Sequence, residues 1–216
     1  MLEPMDAFFA SRLSGYDEHM LRDIEGASEF YPYTASLLPS APGRRILDLG
    51  CGTGLELEYY FHEGGIAALT CIDLSREMLD VLVSKFPDKD IKTFCASYLD
   101  IPLGEDLYDA AVSVESLHHF TEETKQALYR KLRRALRDKG IFVLTDYFAS
   151  SEEEEIALAE EALKLRAEQD IPAEALVHAD IPFTVQHEIS VLLESGFSRA
   201  GVLRSWGATS VVLAEK

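Results

Sequence analysis

The sequence is poor in cysteine, in membrane-spanning runs and in leader-like features. Its 216 residues include three cysteines, Cys51, Cys71 and Cys95, an odd number that favours buried reduced thiols over disulfides or zinc. No apolar run approaches the roughly 18 residues that a transmembrane helix needs. The first residues, Met-Leu-Glu-Pro-Met-Asp, do not resemble a signal peptide. These absences predict a cytoplasmic protein with no membrane partner.

Basic residues are also scarce. Lys and Arg number 20 against 38 Asp and Glu, so the formal net charge at pH 7 is −18. A negative field of this size repels a phosphate backbone. Nucleic acid is therefore an unlikely partner and a small molecule is the expected substrate, while nothing in the composition indicates an oligomeric state.

Short apolar runs and amphipathic segments alternate along the middle of the chain. This pattern predicts strands at 44–49, 67–73, 91–96, 107–114 and 140–147, with helices near 54–63, 75–85 and 122–138. Such alternation is typical of a parallel sheet with helices on both faces. A last helix, 185–195, then precedes two strands that are expected to form a hairpin around Trp206.

Two segments lie outside the alternation. Residues 1–40 have an amphipathic, helical pattern, and residues 148–183 contain an acidic helix (151–169) followed by the stretch "IPAEALVHADIPFT". We predict a single domain over residues 1–216, in which 1–40 form an N-terminal helical cover and 148–183 form a lid insertion.

The stretch "ILDLGCGTGLELE" (46–58) places Gly50, Gly52 and Gly54 between a predicted strand and a predicted helix. A glycine loop before a helix N-terminus indicates a nucleotide-type binding turn. The dinucleotide fingerprint G-x-G-x-x-G is not satisfied, because Leu55 stands where its third glycine belongs, and no Lys-Ser/Thr follows as in a P-loop. Asp48, just before the turn, suits a ligand that carries an ammonium group or a positive charge.

Asp73 ends the second predicted strand in "LTCIDLS". A carboxylate at this place can accept hydrogen bonds from both hydroxyls of a ribose. The alternative is that Asp73 only caps the helix that begins at Ser75.

These motifs resemble the class I S-adenosylmethionine-dependent methyltransferases. "LDLGCGTG" matches the first motif of that family, "IDLS" the second and "YDAAVSVESLHHF" the fourth, and "LRRALRDKGIFVLTD" is similar to the helix and fifth strand that follow. "GYDEHM" and "EFYPY" resemble the lead-in of small bacterial members, many of them uncharacterised. The resemblance implies an α/β, Rossmann-like fold: a seven-stranded, mostly parallel sheet with one antiparallel strand, helices on both faces and helical lid segments.

The resemblance also implies S-adenosylmethionine as the cofactor and a set of residues that bind it: Asp48, Gly50, Cys51, Gly52, Asp73, Leu74, Met78, Ser97, Tyr98 and Ser113. The family often has Gly-Asp-Ala after the third strand, where the Asp holds the adenine amino group, and this chain has Ala96-Ser97-Tyr98. Ser97 can accept a hydrogen bond and Tyr98 can flank the adenine ring, and Asp100 is a nearby substitute.

Five residues are candidates for the acceptor chemistry: Tyr16, His119, Asp146, His178 and Asp180. His119 follows the fourth strand and Asp146 ends the fifth, whereas "HADIP" aims His178 and Asp180 to the same side of an extended backbone. Aromatic faces attract sulfonium and methylammonium cations. The N-terminal segment therefore adds further candidates for lining the methyl site, although Tyr33 is expected to be a packing residue: His19, Tyr31 and Tyr33.

Three interpretations of this set stay open. A histidine could act as a general base, or imidazoles and carboxylates could bind a divalent metal, although no metal site is assigned. The "HADIP" pair could instead only cap the helix that begins near Val185. Only one histidine of the 118–119 pair is expected to matter, and His118 is expected to point elsewhere.

The resulting functional prediction is methyl transfer from S-adenosylmethionine to a small molecule that bears an amine or a hydroxyl. The alternative is a protein that binds or modifies a derivative of S-adenosylmethionine without transferring a methyl group. A dehydrogenase is disfavoured by the missing third glycine.

Overall fold

The computed structural model describes residues 1–216, and its centre is a seven-stranded sheet in the order β3-β2-β1-β4-β5-β7-β6. The last strand in sequence is antiparallel to both of its neighbours, and every other adjacent pair is parallel. The predicted mostly parallel sheet with one reversed strand is therefore confirmed. The strands are β1 (Arg45–Leu49), β2 (Ala68–Asp73), β3 (Ile91–Cys95), β4 (Tyr108–Val114), β5 (Leu136–Tyr147), β6 (Arg199–Trp206) and β7 (Thr209–Glu215).

Eight helices surround this sheet. Side chains that hydrogen-bond the first free backbone N–H groups fix three of their starts, since Ser75, Ser151 and Thr184 each accept from the residue three positions later. The helices are α1 (Met5–Arg12), α2 (Tyr16–Asp23), α3 (Ala27–Ser36), α4 (Leu55–His62), α5 (Arg76–Lys85), α6 (Glu122–Ala135), α7 (Glu152–Glu168) and α8 (Val185–Glu194).

Most predicted boundaries hold to within one residue, but the end of α6 and the start of β5 do not. The helix ends at Ala135 instead of 138, and the strand begins at Leu136 instead of 140. Leu136 is extended, fully buried and paired with Tyr108. Because this pairing buries an apolar side chain in the core, it ends the helix earlier than local periodicity indicates.

Alternation along the strands gives the sheet two apolar faces. In β1, Leu47 and Leu49 pack into one core with α6 and α8, whereas Ile46 packs into the other core with α3, α4 and α5. Helices therefore cover both faces, as predicted. Cys51 and Cys71 are buried, but Cys95 at the end of the edge strand β3 is exposed, so the prediction of three buried thiols is wrong for that residue.

One ion pair crosses the helical layer on the α6 and α8 side. The Lys125 ammonium lies 2.5 Å from a carboxylate oxygen of Glu188, both side chains are buried, and the Tyr129 hydroxyl donates to the same carboxylate. The ammonium also lies 4.0 Å from the centre of the Phe183 ring. These contacts hold α8, and Phe183 two residues before its start, against α6.

The two segments outside the alternation meet each other. The backbone N–H of Met5 donates to the Leu176 carbonyl (3.1 Å), and the N–H of His178 donates to the Glu3 carbonyl (2.9 Å). The beginning of the chain and the region after α7 are therefore joined by backbone hydrogen bonds at the carboxyl edge of the sheet. None of the helices has both the length and the apolar character that crossing a membrane requires.

Candidate functional site

The glycine loop joins β1 to α4 with all three glycines at positive φ: 72° at Gly50, 49° at Gly52 and 75° at Gly54. A Cβ on Gly50 would lie 2.1 Å from the hydroxyl oxygen of Ser116, so no side chain fits there. A Cβ on Gly52 would meet only the Tyr16 ring, at 4.0 Å. The loop therefore packs tightly on one side and leaves backbone open to a cleft on the other.

Asp73 holds this loop from the end of β2. Its two carboxylate oxygens accept from the backbone N–H of Gly52 (2.9 Å) and of Ser75 (2.8 Å). Burial raises the pKa of Asp73, and the backbone hydrogen bonds oppose that shift. The alternative in which Asp73 only caps α5 is wrong, because Ser75 is the capping residue.

The open side of the loop faces a narrow cleft of about 50 Å³. Six of the ten predicted cofactor-binding residues line it: Gly50, Gly52, Asp73, Leu74, Met78 and Tyr98. The cleft is far smaller than the roughly 300–1,000 Å³ of a typical ligand pocket. Phe9 and Tyr16 of the N-terminal helices line it from above, so they fill the space beside the loop.

The other four predicted cofactor residues lie outside the cleft. Cys51 is buried, Ser113 is buried and donates to the Leu49 carbonyl (2.9 Å), and Ser97 lines a separate cavity of about 210 Å³ together with Asp100. The two residues suggested for the adenine contact, Ser97 and Asp100, therefore lie outside the cleft at Gly52.

Asp48 is the fourth of these residues, and it lies beneath the loop. Strand alternation puts its side chain on the face of Ile46, where it is 1% exposed and next to Glu56 of α4. Burial raises the pKa of both carboxyl groups, and the negative charge of Glu56 raises that of Asp48 further. The predicted contact of Asp48 with a ligand ammonium is therefore not present, because the residue faces the core instead of the cleft.

A larger cavity, about 790 Å³, adjoins the cleft. Phe9, Tyr16 and Glu115 line both spaces, so these three side chains form the boundary between them. The predicted acceptor residues on its wall are Tyr16, His119, His178 and Asp180, with His19 beside them. Tyr31 and Tyr33 do not line it: Tyr31 is buried in the α3 core and Tyr33 packs near Trp206.

Three of the four histidines on the cavity wall lie near one carboxylate. Asp180 Oδ1 lies 3.2 Å from His119 Nδ1, 3.7 Å from His118 Nε2 and 3.9 Å from His178 Nε2. The prediction that His118 points elsewhere is wrong, since both residues of the pair reach the cavity. The alternative in which the "HADIP" pair only caps the next helix is wrong, because Thr184 caps α8.

Asp146 does not line the cavity but holds His118 from behind. Its Oδ1 lies 2.6 Å from His118 Nδ1, and its Oδ2 accepts from the Leu117 N–H at 2.9 Å. Burial lowers the pKa of His118, but the Asp146 carboxylate outweighs burial and raises it to about 9. Asp146 thus orients an imidazole instead of meeting a substrate.

The neighbouring histidine and carboxylate have opposite shifts. Burial, with the charge of His118, lowers the pKa of His119 to about 4. The hydrogen bond from His119 lowers the pKa of Asp180 to about 2 despite partial burial. Near neutral pH the wall therefore presents a neutral imidazole beside an ionised carboxylate.

Glu115 is a site residue that the sequence reasoning missed. It follows the last residue of β4 at a φ of 48°, accepts from the Thr209 hydroxyl (3.0 Å) and separates the cleft from the cavity. Burial, with the nearby charge of Asp146, raises its pKa to about 7. Its place at the carboxyl end of a central strand was the signal that could have identified it.

Comparison with known proteins agrees with this geometry. Residues 46–140 match the family described as methyltransferase domain. An uncharacterized methyltransferase of Synechocystis is 28% identical over 124 residues, which are 57% of each chain. A tRNA (carboxymethyluridine(34)-5-O)-methyltransferase of Arabidopsis thaliana is 30% identical over 125 residues, or 57% of this chain and 29% of that protein.

The fold extends the similarity beyond the matched sequence. A crystal structure of a candidate O-methyltransferase from Nostoc punctiforme superposes with a TM-score of 0.72 at 20% identity, covering 99% of this chain and 62% of that one. The chain spans little more than half, or less, of the length of the two curated relatives. Residues 46–140 thus carry a methyltransferase domain, and the first and second motifs at the cleft and the one reversed strand of the sheet are similar to those of the class I S-adenosylmethionine-dependent methyltransferases.

Proposed function

We propose that the protein transfers the methyl group of S-adenosylmethionine to a small molecule bearing an amine or a hydroxyl, bound in the 790 Å³ cavity. One observation carries the proposal: the cavity and the cleft at the glycine loop adjoin, with Phe9, Tyr16 and Glu115 lining both. A methyl group at the cleft would face this shared boundary. Methyl transfer needs an acceptor in line with the bond that breaks, and adjoining pockets supply that alignment.

The residues of the cleft fit the cofactor. Gly52 presents backbone without a side chain, and Asp73 supplies a carboxylate beside it that can accept the ribose hydroxyls. Leu74 and Met78 add apolar surface next to them. When bound, the cofactor supplies an activated methyl group on a sulfonium, and the aromatic faces of Phe9 and Tyr16 suit that positive charge.

The cavity wall suggests which acceptors fit. Carboxylates reach it from α2, from the end of β4 and from the segment after α7, and Arg12 is the one guanidinium among its lining residues. This excess of negative charge favours a cationic or amine-bearing acceptor. It disfavours nucleic acid, the class of substrate named for the Arabidopsis relative, as does the net charge of −18.

Glu115 is placed to take the proton that leaves the acceptor as the methyl group arrives. It is the carboxylate that lines both spaces, whereas His119, His178 and Asp180 lie on the cavity side, where they would hold the acceptor's heteroatom. The phenol of Tyr16 completes the boundary. General-base removal contributes about 10²–10⁴-fold in rate when the base is within hydrogen-bond reach.

The test is a panel of small amines and alcohols scored by release of S-adenosylhomocysteine. With an active acceptor, Glu115→Gln should lower kcat about a hundredfold or more and leave cofactor affinity within a few fold. Glu25→Gln is the matched control, because Glu25 lines the cavity but not the cleft. Equal turnover in both variants would remove Glu115 from the mechanism. If the purified protein contains a chemically altered nucleotide and no acceptor gives release of S-adenosylhomocysteine, the alternative function, binding or modification of an S-adenosylmethionine derivative, is favoured.

The N-terminal helices and the segment 148–183 are proposed to cover the site. α1 and α2 line the cavity, and residues 178 and 180 close its other side. Because the cleft is only about 50 Å³, entry of a nucleoside requires Phe9 and Tyr16 to move. Hydrogen exchange in both segments should slow when S-adenosylhomocysteine is added, and unchanged exchange would contradict the cover role.

A further inference from the structure

Three imidazoles and one carboxylate converge at the wall of the large cavity, although they come from two distant parts of the chain. His118 and His119 follow β4, and His178 and Asp180 lie sixty residues later, after α7. Asp180 Oδ1 lies between 3.2 and 3.9 Å from a ring nitrogen of each histidine. The Ala179 carbonyl oxygen, 3.1 Å from His119 Nδ1, adds a second oxygen to the group.

Hydrogen bonding alone does not account for this arrangement. Two of the three nitrogen–oxygen separations, 3.7 and 3.9 Å, are longer than protein hydrogen bonds. Ligand atoms about 2.0–2.2 Å from a metal lie roughly 3–4 Å from one another. A ring nitrogen of His118, a ring nitrogen of His119 and a carboxylate oxygen of Asp180 all lie within 4.8 Å of one another, whereas His178 lies beside this group but outside it. These three residues therefore form the set that could hold one ion.

The surrounding residues orient these imidazoles. Asp146 Oδ1 lies 2.6 Å from His118 Nδ1, which leaves Nε2 directed at Asp180. A carboxylate behind the outer ring nitrogen is the arrangement that orients metal-bound histidines in many proteins. On the opposite side, the His178 ring stacks on Phe8, with ring centres 3.5 Å apart and planes 12° apart.

We propose that His118, His119 and Asp180 bind a divalent transition-metal ion at the wall of the acceptor cavity, beside His178. Imidazole nitrogens with one carboxylate suit Zn²⁺, Fe²⁺ or Co²⁺ rather than Mg²⁺ or Ca²⁺, which prefer oxygen ligands. The site opens onto the cavity, so a further coordination position is available to an oxygen or nitrogen atom of the acceptor. The metal would orient that atom toward the boundary at Glu115. This last role rests on the proposed function, whereas metal binding itself does not.

The test measures metal directly on the full-length protein. Protein stripped with a chelator is titrated with Co²⁺, followed by its visible absorption, and with Zn²⁺, followed by elemental analysis after desalting. We expect one ion per chain. His119→Ala and Asp180→Asn should weaken Co²⁺ binding at least as much as Asp146→Asn, for which loss of an orienting carboxylate predicts about a 10–100-fold decrease in affinity.

His62→Ala is the matched control, because His62 is exposed on the surface and paired only with Glu63. Thermal unfolding of each variant separates loss of binding from loss of folding, and Asp180→Asn alters a half-exposed side chain. Absence of a stoichiometric Co²⁺ spectrum in the wild type would overturn the proposal, as would equal affinity in His119→Ala, Asp180→Asn and the control. Binding of S-adenosylhomocysteine, measured separately, shows whether the cofactor site stands when the metal site fails.

Discussion

Replacing Asp73 with alanine tests the central contact of the glycine loop. The carboxylate accepts from the backbone N–H groups of Gly52 and Ser75 at 2.9 and 2.8 Å. Hydrogen bonds to a charged group contribute about 1.5–3 kcal/mol each, so the pair contributes at most about 3–6 kcal/mol. Asp73 is only partly buried, so water can hydrogen-bond the freed N–H groups in the variant and offset part of the loss. We therefore expect the free energy of unfolding to fall by about 2–4 kcal/mol.

The same change should weaken binding of the cofactor. A carboxylate has about four acceptor positions, and backbone N–H groups use two in Asp73, which leaves two for a ribose diol. Loss of that contact predicts a decrease of about 2–3 kcal/mol in binding, or roughly thirty- to hundredfold in Kd. Asp73→Asn should also weaken binding, because its NH₂ group cannot accept.

Calorimetric titration with S-adenosylhomocysteine, below the unfolding transition of each variant, measures the effect. Asp80→Ala is the matched control, because Asp80 is an exposed carboxylate on the adjacent helix α5. A Kd for Asp73→Ala within twofold of the control, together with lowered stability, would mean that Asp73 shapes the loop and does not bind ribose.

Three further changes test the surrounding structure. Gly50→Ala places a Cβ 2.1 Å from the Ser116 hydroxyl oxygen at positive φ, so thermal unfolding should show a loss of about 1–3 kcal/mol or more. Asp48→Asn removes a buried carboxyl whose pKa is raised. Because the wild type loses stability as the pH rises above the unfolded pKa of about 3.9, the free energy of unfolding of the variant, measured in urea, should increase relative to the wild type from pH 4 to 7. A difference between the two proteins that does not change with pH would contradict this. Lys125→Met leaves the Glu188 carboxylate buried without its ammonium partner, which should cost about 3–5 kcal/mol; a neutral result would show that this ion pair does not stabilise the fold.

The sequence alone was sufficient to predict the strands of the sheet, the glycine loop and six of the residues that line the cleft beside it. Strand and helix periodicity is local, and the apolar runs of β1 and β2 are buried as their pattern indicates. The conformation of Gly50 and Gly52 follows from their lack of a Cβ, and Asp73 reaches the loop because parallel neighbouring strands end at the same edge. These features depend on residues close together in sequence or on a fixed rule of sheet geometry.

The tertiary structure decided which side chains meet. Asp48 stands in the first motif, but the two-residue period of β1 turns it under α4, against Glu56. Asp180 lies close to His118 although the two residues are far apart in sequence. Backbone hydrogen bonds between the start of the chain and the segment after α7 hold Asp180 against the end of β4. The local sequence pattern predicts neither these contacts nor the burial that raises the pKa of Glu115. Both depend on residues that are distant in sequence and become neighbours only in the folded chain.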